Sequence, residues 1–212
     1  MPATDTVVLV HGIWMTGLEM AVLRWQLGRC GYRTRVFHYA SLRRDPAGNA
    51  RRLSAFLDRI DGDGPVHLLT HSLGGVIACH ALADTRPERL GRVLMLGAPL
   101  QGSALARHLH GRGLTRWLLG RAAHHGLLEA APECPRGTEV GMIAGLSGYG
   151  IGRLLFHRLP RPNDGTVALD ETEHPSVGSR MHVRHGHFGM LFSPRVAQAA
   201  CRFFECGRFD AS

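Results

Sequence analysis

No segment of this 212-residue chain approaches the run of roughly 18 apolar residues that a membrane-spanning helix requires. Its opening stretch, MPATDTVVLV, has no basic segment leading into a long apolar one and a small-residue cleavage site, which is the pattern of an export signal. A soluble, cytoplasmic protein is therefore expected. The cysteines lack any ligand spacing: Cys30, Cys79, Cys134, Cys201 and Cys206 form an odd set with no CxxC and no Cys/His ligand array. That excludes the common structural metal sites and suits reduced thiols. The 14 histidines are scattered and suggest no metal site. No internal repeat or low-complexity tract occurs, and no cofactor motif stands out.

Charge excludes less. The net charge of +8 comes from arginines rather than lysines, spread along the whole chain and mixed with 17 acidic residues. Clustered cations attract polyanions, but no nucleic-acid-binding motif accompanies these, so no nucleic-acid partner is expected. With 44% hydrophobic residues, the chain can bury one sizeable core, and residues 1–212 are read as a single domain.

Strand and helix patterns alternate. TVVLVHG (6–12), YRTRVFHY (32–39), PVHLLTHS (65–72), GRVLMLGAP (91–99), VGMIAGLSG (140–148) and SRMHVRHG (179–186) read as strands, several of them continuous apolar runs suited to burial on both faces. Helices are expected over 18–31, ending near Gly31, over 49–60, with Leu53, Phe56, Leu57 and Ile60 in one stripe, over 73–86, and over 193–206, with Ser193 as cap and Pro194 at the first turn. The alternation implies an α/β fold with a mainly parallel sheet covered on both faces, its site at the carboxyl ends of the strands. Residues 102–136 break the rhythm. They are long, rich in Arg and His, and interrupted by Gly111 and Gly113, and are read as a small cap inserted over the site, with peripheral membrane contact through this segment as a further expectation.

LLTHSLGG (68–75) is where chemistry enters. An apolar strand stops at Ser72 and restarts as a helix behind Gly74 and Gly75, the context of a nucleophile elbow, in which a tight turn lifts a serine hydroxyl above the sheet edge. The motif departs from G-x-S-x-G in having Thr70 at its first position. A serine at its ordinary pKa needs an imidazole to take its proton and a carboxylate to orient that imidazole. Asp164 in PNDGTV is the acid candidate, with Asp170, Glu171 and Glu173 nearby; His187 in HVRHGHFG is the base candidate, with His185 as the alternative. His182 falls inside a strand and is read as a packed core residue. The His11-Gly12 turn brings the Ile13 N–H to the site, and Leu73 N–H follows the serine; two such donors make an oxyanion hole. Trp14, Met15, Leu100 and Met190 are the candidate walls of a substrate pocket.

Taken in order, VLVHGIW, LLTHSLGG, LMLGAPLQGS, PNDGTV and HGHFGMLFSP resemble the α/β-hydrolase superfamily, and small bacterial lipases and esterases in particular. That resemblance implies Ser72 as nucleophile, Asp164 as triad acid, His187 as base and Ile13 as one oxyanion donor. It implies hydrolysis of small or lipid-derived carboxylic esters through an acyl-enzyme, with no cofactor or metal. An acyltransferase or thioesterase would use the same residues, and a binding protein on a hydrolase fold is the non-enzymatic alternative.

Overall fold

The computed structural model describes residues 5–123, 126–148 and 159–209. Six strands, β1 (Thr6–Val10), β2 (Arg33–Phe37), β3 (Val66–His71), β4 (Leu90–Leu96), β5 (Val140–Gly145) and β6 (Ser179–Val183), form one parallel sheet in the order β2-β1-β3-β4-β5-β6. The expected strands are all present, and each ends earlier than its apolar run because the last residues leave the ladder to build loops.

Alternation along the strands divides the core. Val8, Val10, Leu68, Val93, Met95 and Met142 pack under α2 (Pro46–Leu57) and α3 (Leu73–Asp84). Val7, Leu9, Leu69, Leu94, Leu96 and Ile143 pack against α1 (Ala21–Arg29) and the C-terminal helix. Successive side chains on a strand point to opposite faces, so a strand buried at every position must be covered on both, as β1 and β3 are. The helix α3 is buried on nearly every side, as its continuous apolar sequence requires. At the edges the pattern changes: in β2, Arg33 and Arg35 are exposed, and in β6, Arg180 and His182. His182 therefore faces solvent, which corrects its reading as a core residue; an edge strand buries alternate residues only.

Helix ends follow local chemistry. Asp45 caps α2 by accepting from Gly48 N–H, with Pro46 at the first position. Gly31, with φ 94°, follows the last turn of α1, the left-handed conformation that glycine adopts freely.

Residues 102–136, of which 124 and 125 lie outside the described set, hold α4 (Ala104–Gly111) and two 3₁₀ turns, Arg116–Leu118 and Gly120–Ala123. Leu105, Leu109, Leu119, Ala122 and Leu127 are buried in the same core as α3, while Leu114 and Trp117 stand 88% and 73% exposed. The C-terminal helix α5 (Pro194–Cys206) begins at Ser193, whose hydroxyl accepts from Val196 N–H. A disulfide joins Cys30, at the end of α1, to Cys201 in α5. The expectation of five reduced thiols therefore fails at this pair, which the packing of α1 on α5 brings together across 171 residues of sequence. Among the described residues no helix is long and apolar enough to cross a membrane.

Candidate active site

The central strand β3 runs straight into the turn at Ser72. Its backbone sits at φ 54°, ψ −124°, a region that costs a non-glycine residue of order 1–3 kcal/mol and persists only where the surroundings impose it. They do so here. Ser72 N–H still donates to Leu96 O at 3.0 Å, and Gly75 N–H donates to Ser72 O at 3.0 Å, closing the turn. A side chain at Gly74 would place a Cβ 2.5 Å from Val10 O and 2.7 Å from His11 O, so glycine is what allows α3 to start against β1. At Gly75 a Cβ would lie 2.5 Å from Ala98 Cβ and 3.2 Å from Thr70 Oγ1. The space that glycine usually leaves at position 70 is thus cleared from the other side, by Gly75, and Thr70 fits.

Two loops beyond the sheet bring the acid and base candidates together. Asp164 Oδ2 lies 2.6 Å from His187 Nδ1, with both side chains 2% exposed. The other carboxylate oxygen accepts from Thr166 N–H (2.9 Å) and Val167 N–H (2.7 Å). His187 N–H donates in turn to Asp164 O at 2.8 Å, so main chain and side chain both hold the pair in register. Asn163 accepts from Gly165 N–H at 2.9 Å, which explains the Asn-Asp-Gly order: one side chain shapes the turn and the next faces inward.

The alternatives lie elsewhere. Asp170 accepts from Glu171 N–H, Glu173 is exposed, and Glu171 accepts from Ala104 N–H and from Ala168 N–H. Burial pushes the Glu171 carboxyl above its ordinary range, against the lowering by those two donors; it ties the first turn of α4 to the loop that carries Asp164. His185 Nε2 meets Ser193 Oγ at 2.9 Å, at the start of α5.

Beside the serine, the loop after β1 folds back on itself. Gly12 N–H points at Met15 Sδ (3.3 Å), Trp14 takes φ 60°, and His11 stacks on Tyr39 with ring centroids 4.2 Å apart while Tyr39 OH donates to His11 O. A Cβ on Gly12 would come within 3.1 Å of Ser72 Cβ, so the Ile13 segment lies against the elbow. Leu73 opens α3, whose first N–H groups have no partner inside the helix and carry its positive end.

Gly12, Ile13, Trp14, Met15, Ser72 and His187 line one small cavity together with His71, Thr166 and Phe188. Its open interior is about 20 Å³, room for about one water. Of the four candidate wall residues, Trp14 and Met15 line this cavity, and Leu100 and Met190 do not. Both are fully buried in the core, Met190 packing beneath Gly97, where an added Cβ would meet its Cε at 3.0 Å.

Sequence reasoning passed over three positions. Gly97, at φ 54°, ends β4 directly under the acid–base pair: a Cβ there would sit 2.9 Å from Asp164 Oδ2 and 3.1 Å from His187 Nδ1. Gly145 ends β5, where a Cβ would meet His185 O at 2.4 Å and Asp164 Cβ at 2.8 Å. The signal was present as a glycine closing each strand. The third is His71, whose Nε2 lies 3.1 Å from His187 O while its Nδ1 is buried without a hydrogen-bond partner.

Burial pushes the His71 ring well below its ordinary pKa, and His11 and His67 are lowered by the same cause. Each binds a proton more readily in the unfolded chain, so stability is expected to fall as pH drops below about 6.5. A series of melting temperatures from pH about 8 to about 5 checks this. His71→Gln should flatten the slope, and a Tm that is constant or rises on acidification would contradict the assignment.

A family model of the alpha/beta hydrolase family matches residues 7–201. The chain belongs to that family. This alpha/beta hydrolase resembles, among solved structures, the mature lipase BlEst2 of Bacillus licheniformis, with 20% identity, a TM-score of 0.76, and 98% of this chain covering 93% of that one. It also resembles the metagenomic carboxyl esterase MGS0156, at 19% identity and TM-score 0.64 over 88% of this chain and 65% of that one. A third likeness is to the phospholipase PlaB of Legionella pneumophila in complex with thio-NAD, at 20% identity and TM-score 0.63 over 80% and 44%. No protein of curated function matches it significantly. These identities carry the fold.

Proposed function

We propose that this alpha/beta hydrolase is a serine esterase that cleaves carboxylic esters through an acyl-enzyme. The observation that carries the reading is the buried 2.6 Å Asp164–His187 pair, whose histidine lines the same cavity as a serine on a positive-φ turn. With Nδ1–H bound to the carboxylate, Nε2 of His187 is left in the tautomer that accepts a proton. Ser72 Oγ attacks the ester carbonyl as His187 takes its proton. The N–H groups of Ile13 and Leu73 receive the oxyanion, a contribution of about 3 kcal/mol for each well-aimed donor. His187 then protonates the departing alcohol, and the same histidine activates the water that releases the acid. None of these steps calls for a cofactor.

Substrate size follows from the walls. A cavity with room for one water does not admit an acyl chain, so the wall of Trp14 and Met15 must yield. Trp14 Nε1–H donates to Leu118 O at 2.7 Å, which couples that wall to residues 102–136. We read this segment as a cap within a single catalytic domain. Its exposed Leu114 and Trp117 stand among the exposed Arg112, Arg116 and Arg121, a combination suited to an anionic lipid surface. Turnover of an ester presented in anionic vesicles should exceed that in neutral vesicles, fall as salt is added, and drop several-fold in Trp117→Ala. Equal rates on both vesicles would remove the membrane contact.

The disulfide at Cys30–Cys201 is at home in an oxidising compartment and speaks against the cytoplasmic expectation. A panel of p-nitrophenyl esters of increasing acyl length, with Ser72→Ala in parallel, tests the reaction. Hydrolysis lost in the variant supports the esterase. A folded protein inert toward every ester, including activated ones, would instead favour transfer to an alcohol or amine, or a thioester substrate.

A further inference from the structure

In the core beside α3, two thiols face each other. Cys79, in the middle of α3, is fully buried; Cys134, at the end of the inserted residues 102–136, is partly exposed. Their sulfurs are 3.8 Å apart, joined by a thiol hydrogen bond. The segment around Cys134 is held in place: Cys134 N–H donates to Ser176 Oγ at 2.8 Å, and His174 Nε2 lies 3.0 Å from Ala131 O. Neither thiol touches the proposed triad.

We propose that Cys134 and Cys79 form a thiol–disulfide exchange site, with Cys134 as the attacking sulfur and Cys79 as the resolving one, whose oxidation staples α3 to the exit of the inserted segment. Accessibility assigns the order, because only Cys134 reaches solvent. Hydrogen bonding supports it: the Cys79 thiol, with a smaller contribution from Ser176 and against the opposing effect of burial, draws the Cys134 thiol below its ordinary pKa, while the same hydrogen bond and burial raise that of Cys79. The thiolate is the nucleophile in exchange.

The co-reactant is a small-molecule disulfide. The Cys134 thiolate attacks one of its sulfurs, forms a mixed disulfide and expels a thiolate, which takes up the proton Cys134 lost. Cys79 then attacks the Cys134 sulfur and gives its proton to the second departing thiolate. Two protein thiols and one small disulfide become one protein disulfide and two small thiols. Cys206 is the internal contrast. It is exposed at the end of α5 with no second thiol beside it, so it should stop at the mixed disulfide.

The test starts from Cys206→Ser with its Cys30–Cys201 bond intact and uses oxidised glutathione. The expected product has lost two hydrogens, retains no glutathione, and yields a peptide linking Cys79 to Cys134. Closing a loop of this length should raise Tm by about 5 °C or more. Cys134→Ser in the same background should not react, and Cys79→Ala should retain one glutathione at Cys134. The proposal is overturned if the Cys206→Ser protein keeps glutathione on Cys134, fails to react while folded, or cross-links with no rise in Tm. These readouts on Cys206→Ser decide the matter without the Cys79 variant, whose buried site is the one most prone to disturb folding.

Discussion

Replacing Ser72 by alanine is expected to lower kcat for ester hydrolysis by about 10⁶ while leaving the fold and the binding of ester analogues in place. The substitution removes one oxygen and nothing that supports the turn. The hydrogen bonds that hold residue 72 at φ 54° run through its backbone to Leu96 and Gly75, and the close approach that admits the bend belongs to Gly74. Melting temperature should therefore stay within a few degrees of the wild type. What remains after the loss is the field of the α3 N-terminus and the Ile13 loop, which acts on a bound ester without a nucleophile and sustains a residual rate of about 10³ over water. Burst kinetics with an activated ester should report an acyl-enzyme in the wild type and none in the variant. A variant that keeps a tenth of the activity would move the chemistry away from Ser72 altogether.

Much of this site was legible because its parts are local. A strand, a serine and a pair of glycines within eight residues state a turn, and Asn-Asp-Gly states another. Which side of the sheet an apolar neighbour faces is a different kind of information. Leu100 and Met190 sit beside motif residues in sequence, yet both are fully buried, one in each of the two core layers. His182 faces solvent for a related reason: β6 closes the sheet at one edge, and its polar residues Arg180 and His182 alternate with Met181 and Val183 as a half-buried strand requires. The Cys30–Cys201 bond lies further from reach still, since it depends on α1 and α5 packing on the same face of the sheet. Gly97 and Gly145 were visible as strand-ending glycines; their function emerges only when the acid and base arrive from loops many residues later.

Asp164→Asn tests the second large effect, a loss of about 10⁴ in kcat at neutral pH. The carboxylate does two things in the fold. Oδ1 accepts from the Thr166 and Val167 N–H groups and shapes its own loop, and Oδ2 meets His187 Nδ1 at 2.6 Å. An asparagine whose carbonyl oxygen keeps the two backbone donors must turn its amide N–H₂ toward Nδ1. That nitrogen then accepts, Nε2 carries the proton, and the ring faces Ser72 unable to take another. The opposite rotamer would aim two amide hydrogens at two N–H donors in a site that is 2% exposed, leaving buried groups unpaired at a cost of about 1–3 kcal/mol each. The first rotamer wins, so the variant should fold well, bind substrate, and fail in the chemical step. Its KM should change little beside its kcat, and its rate should rise with pH as hydroxide replaces the missing base. Equal losses in Asp164→Asn and Asp164→Ala, each with a lowered Tm, would instead make Asp164 a keystone of its loop rather than a partner of His187.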